Sequence, residues 1–382
     1  MAANIKNVLE ILQQKIANAS TSDSTDDLIK LFKAAKKAGG SLIRSVDSDG
    51  ELPNAATTTD RIVFSKAQGS LRFNNNGNWD YVIGGAEVSS GGAWGPQGTS
   101  YGYFLGGASG VHNYIQKYSF TSDGDATGIG NLLTYGSSYS SSTSSSTHAY
   151  VAGRSTANYA NIEKYQFSDE ASASTLVGTL NTTLYYSAGV SSENYGYAGG
   201  GAYAPGATNL INKYSFATDG NATISGNLIA NNQYATGTSS TEYGYVAAGY
   251  NGSVVLGAIQ KWPFAADGNA SSVGTLTVTR GLYAAGTNST EYGYTAGGYV
   301  LPNIAQNVID KFPFATDANA TDVGDLLATQ FYTSGTSSMT YGYNAGGSPS
   351  DTIEKYSFAT DGNSTDVGNL TSARSAGSGA QY

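Results

Sequence analysis

The chain has 382 residues, of which 50 are Gly and 29 are Tyr, and only 12% are charged. With no Cys, neither a disulfide framework nor a thiolate metal site is open to it. A net charge of −9 offers no basic surface for phosphates, so no nucleic-acid partner is expected. The 12% of aromatic residues supplies area to bury and argues against disorder.

The first apolar residues, Ile5, Val8, Leu9, Leu12 and Ile16, form one stripe of an amphipathic helix. Lys6, Glu10 and Lys15 interrupt it, so it is not a signal-peptide core. No stretch approaches the roughly 20 apolar residues that span a bilayer, so no membrane insertion is expected. Ser24 with Asp27 three residues on predicts the start of a second helix, and Gly39-Gly40 its end. Two short helices cannot bury their stripes alone. They are expected to form an anchor over residues 1–45 that docks on another subunit or protein. Arg61-Ile-Val-Phe, Ser70-Leu-Arg-Phe and Gly77-Asn-Trp-Asp-Tyr predict a small β neck module over 46–83.

From there the chain repeats itself. The phrase Tyr-Gly-Tyr-x-Ala-Gly-Gly begins at Tyr101, Tyr195, Tyr243, Tyr292 and Tyr341, with a degenerate copy at His148. Ile-x-Lys-aromatic-x-Phe follows in each copy, from Ile115, Ile162, Ile211, Ile259, Ile309 and Ile353. An Asp-Gly-Asn type turn and a Val-Gly-x-Leu stretch complete the unit. In Tyr-Gly-Tyr both tyrosines share one strand face, and the Gly lets a neighbour come close. In the second phrase apolar bulk falls on both faces, which suits a sheet sandwiched between two like itself. The Lys is expected to lay its stem on apolar surface and keep its ammonium in water. Asp-Gly between strand patterns predicts a tight hairpin. Six four-stranded units of about 48 residues predict an all-β fold, a six-bladed β-propeller over residues 84–382.

The Gly-Gly-ended strand followed by a strand with an aromatic resembles kelch-type repeats of galactose-oxidase-like propellers. The stretch from Ile309 to Leu326 resembles kelch-like repeat proteins of tailed phages, especially marine ones, and the neck pattern is similar to short modules of phage fibre and decoration proteins. The resemblance implies a kelch-like propeller in a virion or tail-fibre-like structural protein, assembled in the host cytoplasm. Its N-terminal helices would dock on other virion proteins, as a homo-oligomer, and the propeller would face a host-surface glycan or receptor. A soluble glycan-binding propeller is the alternative, and a glycan-active enzyme a more distant one. No catalytic motif transfers from galactose oxidase, because His112 and His148 lie in different copies and no Cys exists for its cofactor.

No cofactor and no metal are expected: one or two carboxylates per turn fall short of the six to eight oxygens that Ca²⁺ takes. Asn221, Asn269, Asn319 and Asn363 match glycosylation acceptors but read as hairpin residues. Arg154, Arg280 and Arg374 are the only arginines of the repeat region and fall in different copies. The Ser run from Ser137 to Ser146 takes the place of an innermost strand. Two strands compete to close the ring, one before Tyr101 and one after Gly368. Turn spacing is constant across the copies, whereas the loop between Gly-Gly and Ile varies in length and content. Tyr114, Tyr159, Tyr203, Tyr250 and Tyr299 sit in those loops, and they are the expected partner- or glycan-binding face.

Overall fold

The computed structural model describes residues 95–382 except 109–112, 134–137, 155–159, 170–171, 204–205, 282, 303 and 349, together with the strands of the N-terminal part. Two compact units divide the chain, Met1–Trp94 and Gly95–Tyr382. The first contains a five-stranded sheet in chain order, Ile43–Val46, Ile62–Ser65, Ser70–Asn75, Asn78–Ile83 and Ala86–Val88. The first pair is parallel and the rest antiparallel. No helix occurs among the described residues. The expected helical anchor, with Ile5, Val8, Leu9, Leu12 and Ile16, lies outside them. Ala86–Val88 pairs with Asn78–Ile83 within this sheet, and the second compact unit runs from Gly95.

The second unit is a six-bladed β-propeller. Blade three shows the pattern, with strands Ala188–Ser191, Tyr195–Gly199, Leu210–Ser215 and Thr223–Asn227 paired antiparallel in that order. The first strands of all six blades touch in a closed circle around the axis. In blade two that strand is Ser141–Ser144, within the serine run, as expected.

Ring closure comes from the C-terminal end. Ser378–Gln381 pairs with Tyr101–Leu105 and completes blade one. The rival stretch carries Pro96 where the closing strand has Ala380, and a proline cannot donate to a ladder. Gly379 meets the other need of the place, since a Cβ there would lie 2.2 Å from the Gly335 carbonyl oxygen.

Each repeat residue is explained by the next blade. The second tyrosine of every phrase stacks on the Phe of the following blade, as in Tyr150–Phe216 at 4.6 Å and Tyr294–Phe358 at 4.8 Å. Tyr343–Phe120 at 4.7 Å carries the series across the closure. The Gly of Tyr-Gly-Tyr is covered by its own blade's aromatic, so a Cβ at Gly196 would lie 2.4 Å from the Tyr214 ring. The Gly of Val-Gly lies against the next blade's turn, and a Cβ at Gly178 would come 1.9 Å from the Gly220 oxygen.

The repeat lysines do more than reach water. Lys164, Lys213, Lys261, Lys311 and Lys355 pair with Asp219, Asp267, Asp317, Asp361 and Asp123, each in the turn of the next blade. Lys213 also lies 4.3 Å from the Tyr195 ring centroid, and the same contact recurs in four further blades. Asn221, Asn269, Asn319 and Asn363 accept backbone N–H groups from the preceding blade's fourth strand, which gives them a structural role.

Candidate functional site

The two ends of the propeller differ in build. One end holds the turns between third and fourth strands, with their Lys–Asp pairs. The other holds the crossovers between blades together with the loops between second and third strands.

At the crossover end, the residue two before each first strand is Tyr139, Tyr186, Tyr234, Tyr283, Tyr332 or, in the sixth case, Ala376. All six have positive φ, from 57° at Ala376 to 66° at Tyr283. For a residue with a side chain this backbone region costs of order 1–3 kcal/mol and persists only where the surroundings enforce it. A circle of hydrogen bonds does so here. Tyr186 N–H donates to Tyr139 O at 2.8 Å, Tyr234 to Tyr186 at 2.9 Å, and Tyr283 to Tyr234 at 3.3 Å. Tyr332 donates to Tyr283, Ala376 to Tyr332, and Tyr139 to Ala376, each at 2.9 Å, which closes the circle.

The five rings pack on one another, with centroids 4.7 Å apart for Tyr139–Tyr186, 4.1 Å for Tyr186–Tyr234, 4.5 Å for Tyr234–Tyr283 and 3.6 Å for Tyr283–Tyr332. Tyr139 and Tyr332, on either side of Ala376, stand 5.4 Å apart. Each tyrosine is half-buried, so the cluster closes one end of the central channel and still shows a face to solvent. Burial pushes the phenols of Tyr186, Tyr234, Tyr283 and Tyr332 above their ordinary range. They stay neutral hydroxyls, able to donate and accept hydrogen bonds beside aromatic faces.

Behind the tyrosines runs a channel of about 150 Å³, lined by Ser, Thr, Gly and Ala of the first strands. Its other mouth is crossed by the first residues of the unit. There Gly98 N–H donates to Ser337 O at 2.7 Å, and the Gln381 amide donates to Pro96 O at 2.5 Å.

The loop tyrosines lie on the same end as this cluster but outside it. Tyr203 belongs to a hairpin whose Ala202 bridges to Tyr185, the neighbour of Tyr186. Tyr250 bridges to Gln233 beside Tyr234, and its hydroxyl donates to Gly252 O at 2.8 Å. Tyr299 packs on Phe331 at 4.1 Å, and Tyr114 lies 5.0 Å from the Arg374 guanidinium. Tyr159 and His112 are outside the described residues. Each described loop tyrosine therefore stands over its own blade junction, and the residues brought together are the five crossover tyrosines. A sequence signal for them exists, because each stands nine residues before its copy's Tyr-Gly-Tyr or His-Ala-Tyr.

A second missed signal is the residue after the repeat Ile, which is Gln116, Glu163, Asn212, Gln260, Asp310 or Glu354 and always buried. Each accepts a backbone N–H from the preceding crossover, as Gln116 does from Thr371 at 2.7 Å and Gln260 from Ile229 at 2.8 Å. His148 is an ordinary strand residue, its Nδ1 2.8 Å from Thr147 Oγ1.

Charge is divided between the ends as well. The crossovers and the loops between second and third strands contain one acid, Asp351, and all three propeller arginines. The acids of the turns lie at the opposite end.

No protein-family model matches the chain, and no curated protein matches it by sequence. Among solved structures, the one titled "Structure of YjhT" superposes with a TM-score of 0.55 at 11% identity, covering 63% of this chain and 86% of that one. At that identity the likeness is one of fold, and it agrees with the architecture described here: the chain carries a six-bladed β-propeller.

Proposed function

We propose that the chain is a non-enzymatic structural protein of a phage virion, of fibre, appendage or decoration type, whose propeller recognises a host surface or a partner through its crossover end. The N-terminal residues would dock on other virion proteins, and the assembly would be a homo-oligomer. The observation that carries the recognition reading is the cluster of five half-buried tyrosines held in a strained backbone conformation at that end. Strain of this kind gathers at functional sites. The opposite end has described lysines and aspartates engaged between blades. The virion assignment itself rests on the resemblance of the repeat phrases to phage kelch-like proteins.

A soluble glycan-binding propeller is the second reading, and the same tyrosines favour it, since aromatic faces stack on sugar rings and neutral hydroxyls bond to theirs. Glycoside hydrolysis needs a pair of carboxylates. The loops of the crossover end supply only Asp351, and Glu163 and Asp310 are engaged by arginines. That supports binding over turnover.

The test is a panel of bacterial surface polysaccharides probed with the full chain and with a Tyr283→Ala, Tyr332→Ala variant. Binding that falls at least tenfold in the variant is expected. Equal binding by both proteins would remove the crossover end from recognition.

A further inference from the structure

Five of the six blades have a covalent means of placing their first strand. A short turn joins it to the second strand, as from Ser191 to Tyr195 and from Ser239 to Tyr243. In each turn a serine hydroxyl accepts the N–H of the residue that opens the second strand. Blade one has no such turn, because Ser378–Gln381 and Tyr101–Leu105 come from opposite ends of the propeller unit. Backbone bonds between Tyr101 and Tyr382, both 2.9 Å, stand where the turn would be. Bringing the ends of so long a stretch together costs more entropy than closing a short turn, so the closing strand depends on what it touches.

One side of that strand meets the serine run. Around the rest of the ring a glycine sits at each contact between first strands. A Cβ at Gly189, Gly237, Gly286, Gly335 or Gly379 would lie 2.1 to 2.4 Å from a carbonyl oxygen of the preceding first strand. At the junction from blade one to blade two, Ser142 holds the glycine's place in the ladder. Its Oγ donates to the Gly379 carbonyl oxygen at 2.5 Å. Ser140 Oγ lies 3.4 Å from Ser378 Oγ, and Gln381 N–H donates to Ser144 Oγ at 3.1 Å. The last bond has counterparts elsewhere, such as Ser191 N–H to Ser239 Oγ at 3.0 Å. A glycine can offer no counterpart to the first, and Ala235 and Ala284 none to the second. Gly379 is therefore held from both sides, by close contact with Gly335 and by the hydroxyl of Ser142.

We infer that Ser140 and Ser142 form a latch for the closing strand. Side-chain hydroxyls hold, at this one junction, a strand that no turn ties to its blade. The contact between blades one and two is then the seam of the propeller, where the ring is completed and where local opening begins. This concerns closure and is independent of what the crossover end recognises.

Amide hydrogen exchange of the full chain tests it, with the double variant Ser140→Ala, Ser142→Gly, which gives blade two the residues of blades four and five. Exchange of the Ser378–Gln381 and Tyr101–Leu105 amides is expected to quicken by about tenfold, as two hydrogen bonds are lost from one local opening. Exchange of Ala285–Asn288, across the ring, should stay within about twofold. Ser142→Ala keeps the Cβ and removes the hydroxyl; it should give part of the effect, and it serves if the double variant fails to fold. Ser191→Ala removes the acceptor of the Ser144 N–H at the next junction and should leave the seam unchanged. Seam exchange that does not quicken in the double variant or in Ser142→Ala overturns the latch. Quickening of equal size in all six blades, or an equal effect of Ser191→Ala on the seam, also overturns it, because the serines would then support the whole fold and not its closure.

Discussion

Glu354 occupies the position that blades one and four fill with Gln116 and Gln260, and like them it accepts a crossover N–H, from Leu327 at 2.9 Å. Its Oε1 has no partner, and burial pushes its carboxyl above the ordinary range. A raised carboxyl holds its proton more readily in the folded state than in the unfolded one. Its contribution to stability is therefore full below the unfolded value, near pH ~4, and is lost as pH rises through the raised folded value. Glu354→Gln is expected to stabilise the protein at pH 7 by roughly 1 kcal/mol, with the advantage shrinking toward pH ~4. Urea denaturation at the two pH values checks it, and an advantage that grew on acidification would contradict it. The sequence shows that this position is never apolar, but a polar residue inside a strand has an obvious solvent-facing reading. Only the packed sheets reveal that six such side chains clamp six crossovers.

At the scale of the element, the repeat phrases explain themselves through close approach. Gly178 and Gly128 both lie in fourth strands, yet a Cβ at Gly178 would stand 1.9 Å from a backbone oxygen of the next blade, and one at Gly128 would meet open space. Gly178→Ala should cost on the order of 2 kcal/mol or more, and Gly128→Ala less than about 0.5 kcal/mol. Thermal unfolding of the two variants compares them directly, and similar losses would mean that the blades do not pack as described. The strands, turns and period were legible because their cues are local: alternation, Asp-Gly, and Gly-Gly at a strand end. The partners of the lysines were not legible, since Lys355 meets Asp123, 232 residues away, only once the ring has closed. The crossover tyrosines were hidden differently. Their constant place nine residues before the next repeat phrase is legible in the sequence, but nothing in a tyrosine at a fixed spacing announces a left-handed backbone or that the ring brings five of them together.

On the scale of the whole molecule, closure and polarity are the two properties that matter. The C-terminal strand closes the ring through Gly379, which lies against Gly335. Gly379→Val should therefore destabilise the propeller by on the order of 3 kcal/mol or more, read as a lower urea midpoint. An unchanged midpoint would mean that closure does not hold the ring together. Polarity is the larger matter, because the same circular symmetry that leaves one end uniform and ion-paired gathers five tyrosines and three arginines at the other. Composition shows the net charge, but which end is acidic depends on which loops the blades bring together.

The most direct measurement is a comparison of the two ends within one binding assay. The full chain, a Tyr283→Ala, Tyr332→Ala variant of the crossover end and a Lys261→Met, Asp317→Asn variant of the turn end would be titrated against one surface polysaccharide, with folding of each confirmed by thermal unfolding. Binding lost in the tyrosine variant and kept within about twofold in the turn variant is expected, because an exposed ion pair contributes only ~0.2–1 kcal/mol to stability and nothing to the tyrosine cluster. Binding kept by the tyrosine variant and lost by the turn variant would contradict the assignment of recognition to the crossover end.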